Sequence, residues 1–299
     1  MEMVRSGFVA FVGRPNAGKS TLVNALVGSK VAITSQTPQT TRHRLRAVID
    51  RDDAQMVVVD TPGLHKPHDA LGEELNRSAL HALSDVDAVC FCIDATKPVG
   101  KGDAWVAAHL VRSQAPVVLV LTKADIATEE VVERQLAAAH GLMQFATEIV
   151  VSAVSGLNVE ALVDTLEPLL PEGPRYFPRD MRTDQPLEMM IAEFIREKVL
   201  RSTFDEVPHA VGVGLEDFEI DDRADLAKIT AVVYVERESQ KGIIIGKGGE
   251  MIKRVGTEAR EDLERLLGTR VFLDLRVKVK KDWRKDAAQV RRFGYGEGL

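Results

Sequence analysis

Apolar positions along the chain follow two regimes. Up to about residue 153, runs in which almost every residue is apolar recur at FVAFV (8–12), AQMVVVD (54–60), AVCFCID (88–94), PVVLVLT (116–122) and EIVVSA (148–153). A strand that is apolar on both sides has neither face in water, so these runs predict a sheet covered by helices. RHRLRAVID (42–50) adds a strand beside AQMVVVD. Helical spacing separates the runs. It begins at Lys19 and continues through TLVNALVG, where Leu22, Ala25 and Leu26 share a face, and it returns in ALGEELNRSALHAL (70–83) and TEEVVERQLAAAHGL (128–142). KVAITSQTPQTT (30–41) is polar and Thr-rich, which predicts a mobile loop.

The first regime stops at EPLLPEGPRYFPRD (167–180), whose prolines interrupt any regular element. We place a first domain at 1–172, a linker at 173–184 and a second domain at 185–299. The second domain opens on an amphipathic helix, LEMMIAEFIREKVLRST (187–203), followed by strands HAVGVGLEDFEI (209–220) and AKITAVVYVERE (227–238). A short helix then leads into GKGG, a longer helix covers MIKRVGTEAREDLERLLG (251–268), and VFLDLRVKVKKDW (271–283) alternates as a strand. Helix, strand, strand, helix, helix, strand describes a separate small α+β domain.

Composition agrees with two globular domains: 299 residues, 45% hydrophobic and 28% charged. The formal charge of −6 hides an asymmetry. Residues 228–292 hold 17 Lys or Arg against 10 Asp or Glu, a balance of +7, on an otherwise acidic chain. A polyanion would settle on that module. Cys90 and Cys92 sit inside an apolar run without metal-ligand spacing, so buried thiols in a reducing cytoplasm are expected. The start of the chain reads as neither a signal nor a transit peptide, and no run of 18 apolar residues would span a membrane.

The chemistry is concentrated at strand ends. GRPNAGKS (Gly13, Arg14, Pro15, Asn16, Ala17, Gly18, Lys19, Ser20) fits G-x-x-x-x-G-K-[ST] between a strand and a helix. Backbone N–H groups of residues 14–20 and the helix N-terminus can cradle α- and β-phosphates; Thr21 follows on the helix. Lys19 can reach the β- and γ-phosphates, and Ser20 can take a Mg²⁺ position. In VVVDTPG (57–63), Asp60 is placed to hold Mg²⁺ through water and Gly63 N–H to sense a γ-phosphate. In TKAD, Asp125 can accept from the guanine N1–H and N2–H₂, which adenine cannot offer. The stem of Lys123 can lie over the base, while Ser152 and the Ala153 N–H address its O6 side.

These motifs in this order resemble the Era family of bacterial GTPases, and the resemblance runs from GRPNAGKS through TPQTTRHR and DTPG to GKGG and VKVKKDWR. It implies an α/β P-loop GTPase domain with a mostly parallel sheet covered by helices, followed by a small α+β type II KH domain. It implies GTP and GDP as nucleotides, Mg²⁺ held by Ser20, Thr41 and Asp60, and K⁺ beside Asn16. Thr41 is the γ-phosphate-sensing threonine by resemblance, with Thr40 the competing choice. The catalytic set is then Lys19, Thr41, Gly63 and Asn16. Thr122 departs from the family's NKxD motif and predicts weaker nucleotide retention. Leu64 stands where many small GTPases carry a water-orienting glutamine; His65, Lys66 and His68 follow it. A slow intrinsic rate is therefore expected, with segments 33–43 and 60–78 as nucleotide-dependent switches.

GKGG (Gly246, Lys247, Gly248, Gly249) resembles the G-x-x-G loop of a KH domain, where glycines let a nucleic-acid backbone approach. Lys253, Arg254, Lys280 and Lys281 are the main basic candidates, with Lys278, Arg284 and Lys285 around the last strand. The resemblance implies that the partner is the 3′ end of 16S rRNA, bound during maturation of the 30S ribosomal subunit in the cytoplasm; a monomer is expected. It also implies peripheral contact with the inner face of the membrane. The alternative function is a non-catalytic, GTP-responsive RNA-binding protein.

Overall fold

The computed structural model describes residues 3–67, 69–221 and 223–295; the expectation for His68 lies outside them. Contacts divide the chain into two compact units, with the main boundary between Asp184 and Gln185.

The first unit runs β1 (Val4–Gly13), α1 (Lys19–Val27), β2 (Leu45–Asp50), β3 (Ala54–Asp60), α2 (Ala70–His81), β4 (Ala88–Asp94), α3 (Lys101–Leu110), β5 (Val117–Thr122), α4 (Glu129–His140), β6 (Thr147–Val150), α5 (Val159–Leu166) and β7 (Glu172–Gly173). Its sheet has the order β2-β3-β1-β4-β5-β6, with β7 pairing antiparallel to the start of β1. Every pair along this order is parallel except β2–β3. Successive residues of a strand face opposite sides. Val9 and Phe11 therefore enter a core with Leu22, Val58, Cys90 and Val120, while Ala10 and Val12 enter another with Phe91, Leu119 and Leu121. β3 and β4 are buried along their whole length, as their unbroken apolar runs require. Parallel pairing brings the ends of β1, β3, β4 and β5 to one edge of the sheet, where loops collect chemistry.

Strand limits in the first unit differ from expectation; β1, for instance, starts at Val4, ahead of Phe8. β2 starts at Leu45 rather than Arg42, and Arg42 and His43, both buried, precede it outside the ladder. β6 ends at Val150; Val151 N–H still donates to Leu121 O at 2.8 Å, and the turn begins at Ala153.

The segment expected as a linker is strapped to the first unit. Gln55, fully buried in a mostly apolar strand, accepts from the N–H groups of Tyr176 (2.8 Å) and Phe177 (2.9 Å). Its own amide donates to Asp50 Oδ1 and Phe177 O, both at 2.8 Å. Arg175 pairs with Asp50 at 3.1 Å, and the Tyr176 ring packs 4.8 Å from that of Phe8. Farther along, Val48 N–H donates to Arg182 O (2.9 Å) and Thr183 Oγ1 donates to Arg46 O (2.7 Å), extending the β2 edge.

The second unit contains α6 (Leu187–Ser202), α7 (Val207–Ala210), β8 (Gly212–Asp221), β9 (Leu226–Val235), α8 (Glu238–Ile245), α9 (Glu250–Leu267), β10 (Arg270–Val279) and α10 (Ala287–Arg292). Its sheet has the order β10-β9-β8, with β10 parallel and β8 antiparallel to β9. The strand expected from His209 is preceded by the short α7, which Pro208 starts in its first turn. The last strand stops at Val279; Trp283 lies beyond it, fully buried and donating to Ala210 O at 2.9 Å. α6 is less simply amphipathic than its spacing suggests. Arg196 is buried in a two-point bond to Glu193, both contacts at 2.6 Å, and Lys198 pairs with Asp262 at 2.5 Å. Such charges are tolerable inside only because they are paired.

Candidate nucleotide site and nucleic-acid turn

Local chemistry shapes the phosphate loop. Gly13 has φ 155°, and a Cβ there would lie 2.3 Å from Cys92 O, so the loop leaves β1 where no side chain fits. Asn16 and Gly18 adopt left-handed φ of 64° and 82°. Ala17 N–H closes a turn on Arg14 O at 3.2 Å. α1 then starts at Lys19 with no side-chain cap, leaving its first N–H groups directed at the loop; Thr21 lies in that first turn. Arg14 pairs at 3.0 Å with the buried Asp103 at the start of α3, and Gly102 gives its stem room: a Cβ there would meet Arg14 Cδ at 2.6 Å.

Lys19 is buried and donates to the carbonyls of Gly13 (3.3 Å) and Arg14 (3.1 Å). Burial pushes its ammonium pKa down while Asp60 pulls it back; burial likewise raises the Asp60 carboxyl against the charge of Lys19. Asp60 Oδ2 accepts from Ser20 Oγ at 2.6 Å, and Ser20 Oγ is 2.8 Å from Thr41 Oγ1. All three residues named for Mg²⁺ thus converge. Asp60 Oδ1 is fully buried without a hydrogen-bond partner. An orphaned carboxylate oxygen beside two hydroxyls fits a hard cation with oxygen ligands.

The DTPG turn is fixed to the cradle. Thr61 Oγ1 donates to Phe11 O at 2.8 Å and Leu64 N–H to Gly13 O at 3.0 Å. A Cβ on Gly63 would stand 2.6 Å from both N and Cα of Pro15, so only glycine permits this approach. Leu64 is buried in the core and cannot face a water. Beyond it, the His65 ring nitrogens lie 2.5 Å from Gln39 Nε2 and 3.2 Å from Gly63 O, while Asn76 brackets the His65 backbone. That contact with Gln39 carried no sequence signal.

At the end of β5, Thr122 is buried, and Oγ1 lies 2.8 Å from Ala17 O and 3.1 Å from Ile93 O. Lys123 follows in a left-handed conformation, φ 60°. Ser152, fully buried, donates to Asp125 Oδ1 at 2.6 Å and accepts from Ser155 N–H at 3.1 Å, so its hydroxyl orients the carboxylate. Ala153 lies partly buried in the same turn. Asp94, which sequence reasoning did not single out, holds Lys123 Nζ at 2.7 Å. Its signal was its position: like Asp60, it is an acid closing an apolar strand.

The second unit presents GKGG as a tight turn. Gly246, Gly248 and Gly249 all have positive φ (74°, 62° and 84°). A Cβ on Gly246 would approach Met251 Cβ to 2.7 Å, whereas Gly248 and Gly249 face open space. Ile244 and Val255 are buried beneath it, and Lys247, Lys253 and Arg254 are exposed around it. Lys281 is also exposed. Other basic candidates are engaged within the fold. Lys280 sits over the rings of Tyr234 (5.6 Å) and Phe293 (5.2 Å), Arg284 grips Glu236, Lys278 pairs with Glu216, and Lys285 pairs with Asp282.

A glycine-rich loop between β1 and α1, an acid at the end of β3 and another after β5 match the layout of a P-loop nucleotide hydrolase. Residues 8–123 match the family model described as 50S ribosome-binding GTPase, and residues 206–284 match that of the KH domain. The chain is 49% identical over 300 aligned residues to GTPase Era of Mycobacterium avium strain 104, covering 99% of this chain and 100% of that one. It is equally similar to GTPase Era of Mycolicibacterium paratuberculosis. Among solved structures, a variant of Aquifex aeolicus Era bound to GDP and aluminium fluoride superposes with a TM-score of 0.94 at 38% identity, covering 98% of this chain and all of that one. Era in complex with MgGDPNP and nucleotides 1506–1542 of 16S ribosomal RNA gives the same values. The chain belongs to the Era family of GTPases. It is a GTPase that binds GTP and GDP.

Proposed function

We propose that this GTPase is a molecular switch that binds single-stranded RNA near the 3′ end of 16S rRNA and assists maturation of the 30S subunit. The observation that carries this reading is the full-length likeness to Era in complex with 16S rRNA, joined to an open GKGG turn with exposed Lys247, Lys253 and Arg254 in this chain. The domains follow as 1–172 for nucleotide, 173–184 as connector and 185–299 for RNA.

In this reading Lys19 and the loop amides hold the β- and γ-phosphates, and Gly63 N–H meets the γ-phosphate. Ser20, Thr41 and Asp60 hold Mg²⁺, which offsets charge on the transferring phosphoryl group. Asn16 takes part in holding K⁺. Asp125, oriented by Ser152, reads guanine. With Leu64 buried, no side chain in the usual place orders the attacking water, which supports a slow intrinsic turnover. Among the described residues no helix is long and apolar enough to cross a membrane; peripheral membrane contact rests on family resemblance alone.

Phosphate release from GTP, measured while short single-stranded RNAs are titrated and K⁺ replaces Na⁺, tests the reading. Slow turnover that responds to 3′-end RNA supports it; failure to bind that RNA in any nucleotide state removes it.

A further inference from the structure

Asp94 closes β4 one strand away from the base-side motif, with its side chain 3% exposed. Its register partner across the sheet is Thr122. Oδ1 accepts from the backbone N–H of Thr96 (3.0 Å) and from Thr96 Oγ1 (2.6 Å). Oδ2 takes Lys123 Nζ at 2.7 Å, with Lys97 Nζ at 3.9 Å behind it. The carboxylate is therefore oriented on one oxygen and aimed at Lys123 with the other. Burial pushes the Asp94 pKa up, but Lys123 and Thr96 outweigh it and hold the group below its ordinary value.

Lys123 is consequently fixed at both ends. Its backbone is locked left-handed between Thr122, whose carbonyl accepts from Ala95 N–H at 3.0 Å, and the short turn at Ala124–Ile126. Its ammonium is tied to Asp94. A free lysine loses up to about 2 kcal/mol of rotamer entropy when immobilised. Here that loss is taken on folding, before any nucleotide arrives, which is how preorganisation strengthens binding.

We propose that Asp94 is a positioning residue for guanine-nucleotide binding, acting through Lys123: it holds the lysine stem as a fixed rail for the base. This rests on the reading of Lys123 as a base-side contact. Asp94 touches no nucleotide itself; it determines how tightly GDP and GTP are retained.

The test is a double-mutant cycle on the full chain with a fluorescent GDP analogue, using D94N, K123M and the double variant. D94N is expected to raise Kd about tenfold, as loss of a pre-fixed lysine implies. In the K123M background the same change should add less than twofold. The loss should appear in KM for GTP, with kcat at saturation within twofold of the parent. Effects of D94N and K123M that multiply, or D94N with parental affinity while K123M is weak, would overturn the inference. K123M with parental affinity would instead overturn the base-side reading of Lys123 on which it stands. Should D94N fail to fold, T96V removes only the hydroxyl that aims the carboxylate; it should weaken GDP in the same direction, and an unchanged Kd would count against Asp94.

Discussion

Thr122 Oγ1 stands 2.8 Å from the carbonyl oxygen of Ala17, tying the end of β5 to the glycine-rich loop before α1 across 105 residues of chain. A hydroxyl has one proton, and here two carbonyls, Ala17 O and Ile93 O, compete for it. Nothing remains to donate to a purine. Asparagine at this position has two N–H groups and can keep the cradle bond while reaching the base. T122N should therefore slow GDP release several-fold, and T122V, which removes the bridge, should speed it; dissociation of a fluorescent GDP analogue measures both. Identical rates for all three proteins would contradict the assignment.

Gly63 and Pro15 are packed backbone to backbone. A methyl at Gly63 would stand 2.6 Å from Pro15 N, a contact no flexible side chain can relieve. G63A should displace the cradle, destabilising the nucleotide-free protein by about 1–3 kcal/mol and cutting GTP turnover at least tenfold. Thermal unfolding and phosphate release check the two effects separately.

Gln55 anchors the 173–184 segment through its buried amide. Q55A leaves the N–H groups of Tyr176 and Phe177 and the Asp50 carboxylate without that partner. The expected cost is about 2–4 kcal/mol, since buried groups that lose a partner forfeit more than an average hydrogen bond. Urea unfolding measures it, and protease cleavage between 175 and 184 should accelerate. A loss below half a kcal/mol, as for a surface substitution, would show that the strap contributes little.

The open glycines of the second unit give a sharper RNA test than Gly246, whose replacement would press on Met251. G248D/G249D places two carboxylates in open space at positive φ, which Asp tolerates better than most residues. GDP affinity should be retained while RNA affinity falls at least tenfold. RNA binding equal to that of the parent would remove the turn from the account.

Cys90 and Cys92 are buried, and burial pushes the Cys92 thiol up to about 12. The unfolded thiol titrates near 9.0, so its ionisation favours the unfolded chain once pH exceeds that value. The contribution is intact below pH 9.0 and is lost between there and about 12, at about 1.4 kcal/mol per pH unit. C92A should flatten the fall of stability above pH 9.0, measured by denaturant unfolding. Native protein should leave both thiols unreactive towards an aromatic disulfide.

Much of this was legible because it is local. GRPNAGKS carries its glycines, lysine and serine within one turn, and the apolar runs locate the strands that place Asp60 and Asp125. What stayed hidden depends on partners distant in sequence. Gln55 carries no local signal of its role, because its partners Tyr176 and Phe177 lie more than 120 residues on. Asp94 likewise gains its role from Lys123, 29 residues on. Lys280 is an RNA candidate by sequence alone, but two aromatic rings, Tyr234 before it and Phe293 after it in the chain, hold its ammonium.

In the proposed function the loop at residues 13–20 grips a triphosphate at one end while Asp125 reads guanine at the other. Calorimetric titration with GTP, ATP and xanthosine triphosphate, each with magnesium, tests it directly on the parent chain and on D125N. The parent should bind GTP far more tightly than either competitor. D125N should lose GTP and gain the xanthine nucleotide, because an amide can donate to the O2 that replaces guanine's N2–H₂. Equal binding of GTP and ATP by the parent, or unchanged GTP binding by D125N, would contradict the account.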